Sequence, residues 1–289
     1  MNFFKIIFSP ITAPIRFIQN NFKSVLLITI LVITYGNTDP KSLEKPNLQK
    51  IDLSGAIMGS SDILEKINKA KNDENIKGVL LDVNSPGGAV APSVEIAYAI
   101  KELKAIKPVV VYASGVIASG SYYASIWANK IVANPGSMVG SIGVIMQSVD
   151  ASELMANIGV KTQTVKVGKY KEAGTPTRAW TQYEKEELEK VINHTYAMFV
   201  SDVSKARNLD PKNHTQFADA HIFTAYQAKE VNLIDEVTNI TGAKLILQDL
   251  AQVQKQVWAK EDKIDKLMRK FVESTMANIS TSLIQMMAY

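Results

Sequence analysis

The chain has no cysteine and few histidines, and both shortages limit which residues could act in catalysis or bind a metal. Among the 289 residues there is no Cys, which excludes disulfide bonds, thiolate metal sites and a cysteine nucleophile. Three histidines are present, His194, His214 and His221, and none lies in a sequence context that suggests a catalytic partner. We expect ordinary structural roles for all three, so a catalytic base has to be sought among other residue types.

Neither a nucleotide-binding pattern nor a strong charge excess is present. The net charge of +4 is small and scattered along the chain, which argues against nucleic acid as a partner. No G-x-x-x-x-G-K-[ST] or G-x-G-x-x-G pattern surrounds the glycine-containing turns. Hydrophobic residues make up 46% and charged residues 21%, which is typical of a globular protein with a sizeable core. Nothing in the sequence implies a metal or a cofactor.

The amino-terminal 38 residues lack acidic side chains but contain three basic ones, Lys5, Arg16 and Lys23. The apolar run that follows covers only residues 24–35, about 18 Å of helix, against roughly 30 Å for the hydrocarbon core of a bilayer. Phe22 and a snorkelling Lys23 could extend the run. A basic flank before an apolar run predicts an uncleaved signal anchor with its amino terminus in the cytoplasm.

From residue 51 onward, segments typical of strands alternate with segments typical of helices. This alternation predicts an α/β core with a largely parallel sheet. The predicted strands are 51–53, 56–58, 78–83, 108–112, 131–133, 143–146 and 232–237. The predicted helices are 62–70 with Asp62 as N-cap, 93–105, 122–129, 151–157, 181–205 with a capping box of Thr181 and Glu184, 225–231 and 242–289.

These patterns divide the chain into five predicted regions. They are a cytoplasmic basic region at 1–23, a transmembrane signal anchor at 24–38, a linker at 39–50, a catalytic domain at 51–241 and a helical carboxy-terminal extension at 242–289.

The stretch most suggestive of chemistry is PVVVYASGVIASGSYYASIWANK, residues 108–130. A buried strand there leads through small residues into a helical segment, which brings backbone N–H groups and one hydroxyl to the positive end of a helix. Ser119 is the candidate for a reacting hydroxyl. The alternative is that Ala118 to Ser121 form only a tight, closely packed turn.

A second turn follows the strand at 78–83 and contains Asn84, Ser85, Pro86, Gly87 and Gly88. Together with the N–H of the glycine after the candidate serine, its backbone N–H groups could form an oxyanion hole, which stabilises charge that develops on a carbonyl oxygen. Most glycine pairs only make turns, so the two readings remain open.

A serine nucleophile needs a base, and with no suitable histidine the alternative is a lysine. Burial favours the neutral amine that can accept a proton. The segment 167–176 contains two candidates, Lys169 and Lys171. Most lysines are solvated surface charges, so the segment alone does not identify the base.

Taken together, these motifs resemble the bacterial signal peptide peptidase A family, serine–lysine peptidases of the ClpP/crotonase-like fold. The resemblance covers about residues 51–237 of this chain and is to the short, single-copy form of the family. It rests on five motifs in the family's order, DVNSPGG at 82–88, ASGSYY at 118–123, GSIGV at 140–144, GKYK at 168–171 and LID at 233–235.

The resemblance implies roles for particular residues. Ser119 would be the nucleophile and Lys171 the general base, and Gly87 and Gly120 would donate to the oxyanion. Ser141 would orient the lysine. The chain departs from the family's pattern at four positions, which are Ser121 in place of a second glycine, Ala220 and His221 in place of Gly-Arg, and Asn232 in place of a glycine.

The implied protein is a membrane-anchored serine endopeptidase that degrades remnant signal peptides and other hydrophobic peptides after secretion. It would be a single-pass protein of the bacterial inner (cytoplasmic) membrane, with its catalytic domain on the periplasmic or extracytoplasmic side. Its partners would be copies of itself, in a homo-oligomeric ring whose active sites are shared between neighbouring subunits. Two alternatives stay open, a crotonase-type acyl-CoA enzyme and a non-catalytic membrane scaffold of the same fold.

Overall fold

The computed structural model describes residues 18–35 and 44–260, and the chain divides into two units after Lys45. The first unit contains helix α1, Phe22–Tyr35. Within the described ranges, no helix combines the length and the apolar character that crossing a bilayer requires. The anchor over 24–38 therefore stays a prediction.

The second unit contains an α/β domain. Its strands are β1 (Leu48–Ser54), β2 (Gly78–Ser85), β3 (Val109–Ala118), β4 (Lys130–Ala133), β5 (Met138–Gly140), β6 (Ile222–Thr224) and β7 (Glu236–Val237). Its α-helices are α2 (Ser61–Asn72), α3 (Val90–Lys104), α4 (Gly120–Ser125), α5 (Ser152–Asn157), α6 (Gln182–Arg207), α7 (Ala225–Glu230) and α8 (Ile240–Leu250).

The strands form one sheet with the order β1-β2-β3-β4-β7, and every neighbouring pair in this order is parallel. Strand β5 pairs in parallel with the end of β3, and β6 pairs antiparallel with β5. The predicted α/β core with a largely parallel sheet is confirmed. Strand β3 is central to this sheet, so the residue that follows it lies in the middle of the sheet's carboxyl edge.

Both faces of the sheet are covered, which explains why β2 and β3 are continuous apolar runs rather than alternating ones. The side chains of Val79 and Val111 face helices α2 and α3, which contribute Ile67 and Ile100 to the same core. The opposite face carries Leu80 and packs against α8. A strand buried on both faces is a rigid support for a functional turn at its end.

The chain that follows α8 pairs with the first residue of β1, which is an edge strand of the sheet. The backbone N–H of Leu48 in β1 donates to the carbonyl of Val257, and the N–H of Ala259 donates to the carbonyl of Leu48. This pairing satisfies the outward-facing backbone groups of Leu48, at the start of an edge strand.

Two predicted strands are absent from the structure, and the strand predicted over 232–237 forms only as β7. Residues 56–58 form no strand, because only Ile57 makes an isolated bridge, to Gly88. Residues 143–146 form no strand either, since the ladder ends at Gly140 and the chain then turns through a positive φ at Ser141.

Further differences are at helix ends. Helix α2 begins at Ser61, so its N-cap position is Ser60, and Asp62 lies in the first turn. In the described part of the helix predicted over 242–289, the structure forms α8, which ends at Leu250, and residues 261–289 lie outside the described residues. The capping box at the start of α6 is confirmed, with the Glu184 carboxylate accepting a hydrogen bond from the Thr181 N–H at 2.9 Å.

Candidate active site

Ser119 stands at the junction between β3 and the short helix α4. Its backbone has φ 52° and ψ −123°, a conformation that non-glycine residues rarely adopt. Hydrogen bonds on both sides hold this turn, from the Ser119 N–H to the Gly140 carbonyl at 2.8 Å and from the Tyr123 N–H to the Ser119 carbonyl at 3.0 Å. A strained, well-braced and partly exposed serine at the end of a central strand is typical of a functional position.

The glycine turn after β2 touches the serine turn. A Cβ atom placed on Gly87 would lie 2.5 Å from the Gly120 nitrogen and 2.9 Å from the Ser119 Cβ. Gly87 also has φ 93°, which favours glycine. Any larger residue at position 87 would therefore push the two turns apart.

Two backbone N–H groups are available beside Ser119, those of Gly88 and Gly120. Among the described residues neither group makes a backbone hydrogen bond, and both glycines line the same pocket as the serine. A Cβ atom on Gly120 would lie 3.2 Å from the Gly88 nitrogen, so the two turns approach each other closely at this point. Gly120 is the first residue of α4, where the N–H has no partner inside the helix.

The N–H of Gly87, by contrast, is already used. It donates to the Ser85 hydroxyl at 3.2 Å, in a buried position. The geometry therefore disagrees with the expectation that Gly87 donates to an oxyanion, and it points to Gly88 instead. The N–H groups of Gly87 and Gly88 differ in this way because adjacent amides in a turn point in different directions.

Ser141 lies next to Ser119. Strand β5 runs parallel to the end of β3 with Ala118 opposite Gly140, and the two serines follow these residues directly. Ser141 shares the unusual backbone of its neighbour, with φ 49°, and its N–H donates to the His221 carbonyl at 2.7 Å. The structure thus brings together the expected nucleophile, Gly120 and Ser141.

The structure does not bring Lys171 to this place within one chain. Lys171 is exposed in a turn of the segment between α5 and α6, and it is not among the residues that line the pocket. The next residue, Glu172, accepts hydrogen bonds from Lys166 and from Arg178, and Arg178 also pairs with the buried Glu184 at 2.8 Å. This ionic network fixes the turn that carries Lys171.

A pocket of about 80 Å³ opens beside Ser119. Its walls are mainly apolar and come from α3, α4, α6 and the irregular segment after Ser141. They include Val90, Val94, Val144, Ile145, Met198 and Phe199. No sequence signal marked the residues on α6 for this role, because they are about 80 positions from Ser119 and have only the apolar spacing of an ordinary helix.

Tyr123 is the one titratable side chain that lines the pocket among the described residues. Its ring packs edge-on against Phe199 with the centroids 5.0 Å apart, and its hydroxyl donates to Asp202. Burial, and then the hydrogen bond to Asp202, raise the pKa of Tyr123 well above its usual range. The phenol therefore stays protonated at neutral pH and cannot serve as the base.

None of the three histidines takes that role in the pocket either. His194 is exposed on α6, the His214 ring nitrogen lies 3.2 Å from the hydroxyl of Tyr196, and His221 is exposed beside Phe223. In the described part of the chain, no group of three or more His, Asp or Glu residues could hold a metal ion.

The chain is similar to a known family and to several known proteins. Residues 101–254, more than half of the chain, match the model of Peptidase family S49. A protein of Methanocaldococcus jannaschii described as a protease is 44% identical over 187 residues, which are 65% of this chain and 60% of that protein. A protein of Enterococcus faecium described as a signal peptide peptidase is 35% identical over 175 residues, which are 60% of this chain and 51% of its own length.

Among solved structures, a mutant of the 1510-N membrane-bound stomatin-specific protease aligns with a TM-score of 0.53 at 14% identity. The alignment covers 76% of this chain and 100% of that one. This likeness shows that the chain shares its α/β fold with that protease. The matched region contains Ser119, Ser141 and Lys171, whereas the glycine turn at 87–88 lies before it. Because the family model matches more than half of the chain, the chain belongs to peptidase family S49.

Proposed function

We propose that the protein is a membrane-anchored serine endopeptidase in which Ser119 attacks the scissile peptide carbonyl. The observation that carries this proposal is the convergence at one pocket of a strained serine and two N–H groups without backbone partners, those of Gly88 and Gly120. A hydroxyl nucleophile beside preorganised N–H donors is the arrangement that acyl transfer requires.

The reaction proceeds in two halves. The Ser119 oxygen forms a bond to the carbonyl carbon while its proton passes to the neutral amine of Lys171. Collapse of the tetrahedral species breaks the C–N bond, and the lysine returns the proton to the leaving amine. Water then attacks the acyl-serine ester with the same lysine as base, which releases the acid product and restores the serine hydroxyl.

The N–H groups of Gly88 and Gly120 stabilise the oxyanion in both halves. We assign Gly88 in place of Gly87, because the Gly87 N–H is bound to Ser85. The hydroxyl of Ser141, adjacent to Ser119 in the sheet, accepts a hydrogen bond from the lysine and orients it.

The lysine is supplied by a neighbouring subunit. Two observations support this assignment, the absence of a competent base among the described residues of the pocket and the exposure of Lys171. The segment between Ser141 and α6 also exposes several apolar side chains that a second copy of the chain would cover. They are Ile145, Val149, Leu154, Ile158, Val165 and Val167.

The substrates are hydrophobic peptides, chiefly signal peptide remnants. The apolar pocket beside Ser119 suits an apolar side chain, and residues 143–145, which belong to no helix or strand, form part of its wall. A peptide can lie along such a segment as an added strand, with its side chains alternating into the pocket. The E. faecium relative is described as a signal peptide peptidase, which agrees with this substrate class.

The deciding experiment is peptide hydrolysis by the Ser119→Ala variant. We expect activity to be abolished while folding is kept, because alanine preserves the small volume of the turn and removes only the hydroxyl. Ser114→Ala is the matched control, since Ser114 lies on the same strand but is exposed. A serine-directed phosphonate should label the wild type and the control but not Ser119→Ala. Hydrolysis near the wild-type rate by Ser119→Ala would overturn the assignment, and absence of labelling in the wild type would favour a scaffold.

A further inference from the structure

A second serine, Ser121, lies buried directly beneath the nucleophile turn. Its hydroxyl accepts a hydrogen bond from the Ala118 N–H at 2.9 Å. As a donor, the same hydroxyl lies 2.7 Å from the Ser85 carbonyl and 2.9 Å from the Ala118 carbonyl. Ser121 therefore links the last residue of β3 to the last residue of β2.

The link continues into the glycine turn through Ser85. The Ser85 hydroxyl accepts from the Gly87 N–H at 3.2 Å and donates to the Gly55 carbonyl at 2.5 Å. Both serines are fully buried. A line of hydrogen bonds thus runs from the residue before the nucleophile to the residue before Gly88.

The ladder between β2 and β3 is irregular just before the two turns. Strands β2 and β3 pair in register up to Val83 and Ala113, but the next pair is Ser85 with Ile117. Strand β3 thus contains two extra residues relative to β2 just before the Ser119 turn, since residues 114–116 lie opposite the single residue 84. Side chains bridge the stretch where backbone pairing is interrupted. The Asn84 side chain accepts a hydrogen bond from the Val116 N–H at 3.0 Å, and the Ser121 hydroxyl joins Ala118 to Ser85 nearest the two turns.

We propose that Ser121 is a positioning residue that holds the Ser119 turn against the glycine turn, so that the N–H groups of Gly88 and Gly120 converge on one oxygen. The inference rests on the proposed peptidase function and adds to it a residue that touches neither substrate nor reacting atoms. Glycine at position 121 would provide no such link.

The test compares Ser121→Ala with Ser125→Ala. Ser125 lies in the same short helix and is equally buried, but its hydroxyl donates to the Ser121 carbonyl at 2.8 Å and has no bond to the glycine turn. Peptide hydrolysis gives kcat and KM, and hydrogen–deuterium exchange of the segment 84–90 reports on the glycine turn. Ser121→Gly is the second variant, in case the alanine variant folds poorly.

We expect Ser121→Ala to lower kcat by about tenfold to a hundredfold, the range that a small misplacement of catalytic groups produces, with KM nearly unchanged. Exchange in 84–90 should become faster. Ser125→Ala should change neither kcat nor exchange in that segment, and Ser121→Gly should behave as Ser121→Ala does.

Equal losses of kcat in Ser121→Ala and Ser125→Ala would overturn the proposal, and so would unaltered exchange in 84–90. A wild-type protein that hydrolyses no peptide would instead refute the proposed function, and the exchange comparison would still decide whether Ser121 holds the turn. Faster exchange with unaltered kcat would show a purely structural link and would also overturn the proposal.

Discussion

Close packing at single residues sets the geometry of the Ser119 site. Gly120 lies so near α3 that an added Cβ atom would be 2.4 Å from the Ser93 hydroxyl oxygen. That hydroxyl is bound to the Ala89 carbonyl at 2.8 Å and cannot move aside without breaking a bond. The close approach of α3 therefore requires glycine at position 120.

We predict that Gly120→Ala lowers kcat for peptide hydrolysis by about a hundredfold or more, the usual effect of losing one oxyanion donor. The physical reason is that α4 must shift away from α3, which carries the Gly120 N–H out of line. Gly136→Ala is the control, because an added Cβ atom there meets nothing closer than 3.5 Å. Activity of Gly120→Ala equal to that of the control would contradict the assigned donor.

At the scale of elements, an ionic network connects the turn that carries Lys171 to the first turn of α6. Hydrogen bonds from Lys166, and then Arg178, lower the pKa of Glu172 from its ordinary value of 4.5 to about 2. Hydrogen bonds from Arg178, and then from the Thr181 N–H, lower the pKa of Glu184 to about 2. Both carboxylates are thus more easily ionised in the folded chain than in the unfolded one.

A lowered carboxylate pKa stabilises the fold at neutral pH and not in acid. The contribution of Glu172 and Glu184 is complete above about pH 4.5 and is lost as the pH falls towards 2. We therefore predict that Arg178→Gln lowers the melting temperature at pH 7 and that the difference from wild type shrinks towards pH 2. Thermal unfolding across this range measures both effects.

Lys190→Gln is the control for that comparison, because it removes an exposed ion pair with Glu187 on the same helix. Exposed pairs contribute little, so its melting temperature should follow the wild type at every pH. A difference between Arg178→Gln and wild type that is constant with pH would show that the network does not act through its carboxylates.

For the whole molecule, the separation of Ser119 from Lys171 predicts that a single chain has no complete site. We expect Ser119→Ala and Lys171→Ala chains, each inactive alone, to recover activity when they are co-assembled. Recovery occurs wherever an intact Ser119 of one subunit meets an intact Lys171 of the next, as a closed ring of head-to-tail contacts provides. Absence of recovery in mixed assemblies that contain both variants would place both residues in one chain.

A second prediction for the whole molecule concerns the membrane. The basic, acid-free amino-terminal region predicts that residues from about 37 onward lie outside the cytoplasm. Protease added to spheroplasts should then digest the catalytic domain, with a cytoplasmic protein as the intact control. If the domain is digested only after the cells are lysed, it lies in the cytoplasm and the predicted topology is wrong.

The amino-acid sequence by itself determined the features that depend on neighbouring residues. Apolar β-branched runs predicted β2 and β3, and the pairing of Thr181 with Glu184 marked the start of α6. The small residues around Ser119 marked the turn that the structure places at the end of the central strand. Periodicity and turn chemistry act over a few residues, so they can be read without knowing the fold.

Contacts between distant positions were decided only by the tertiary structure. The choice between the N–H groups of Gly87 and Gly88 depends on which one the Ser85 hydroxyl takes. The apolar pocket depends on α6 packing beside the Ser119 turn. Ser121 reads in the sequence as one more small residue, yet its hydroxyl spans the gap that the irregular pairing of β2 and β3 leaves open. Packing sets these contacts because it joins residues that no local pattern relates.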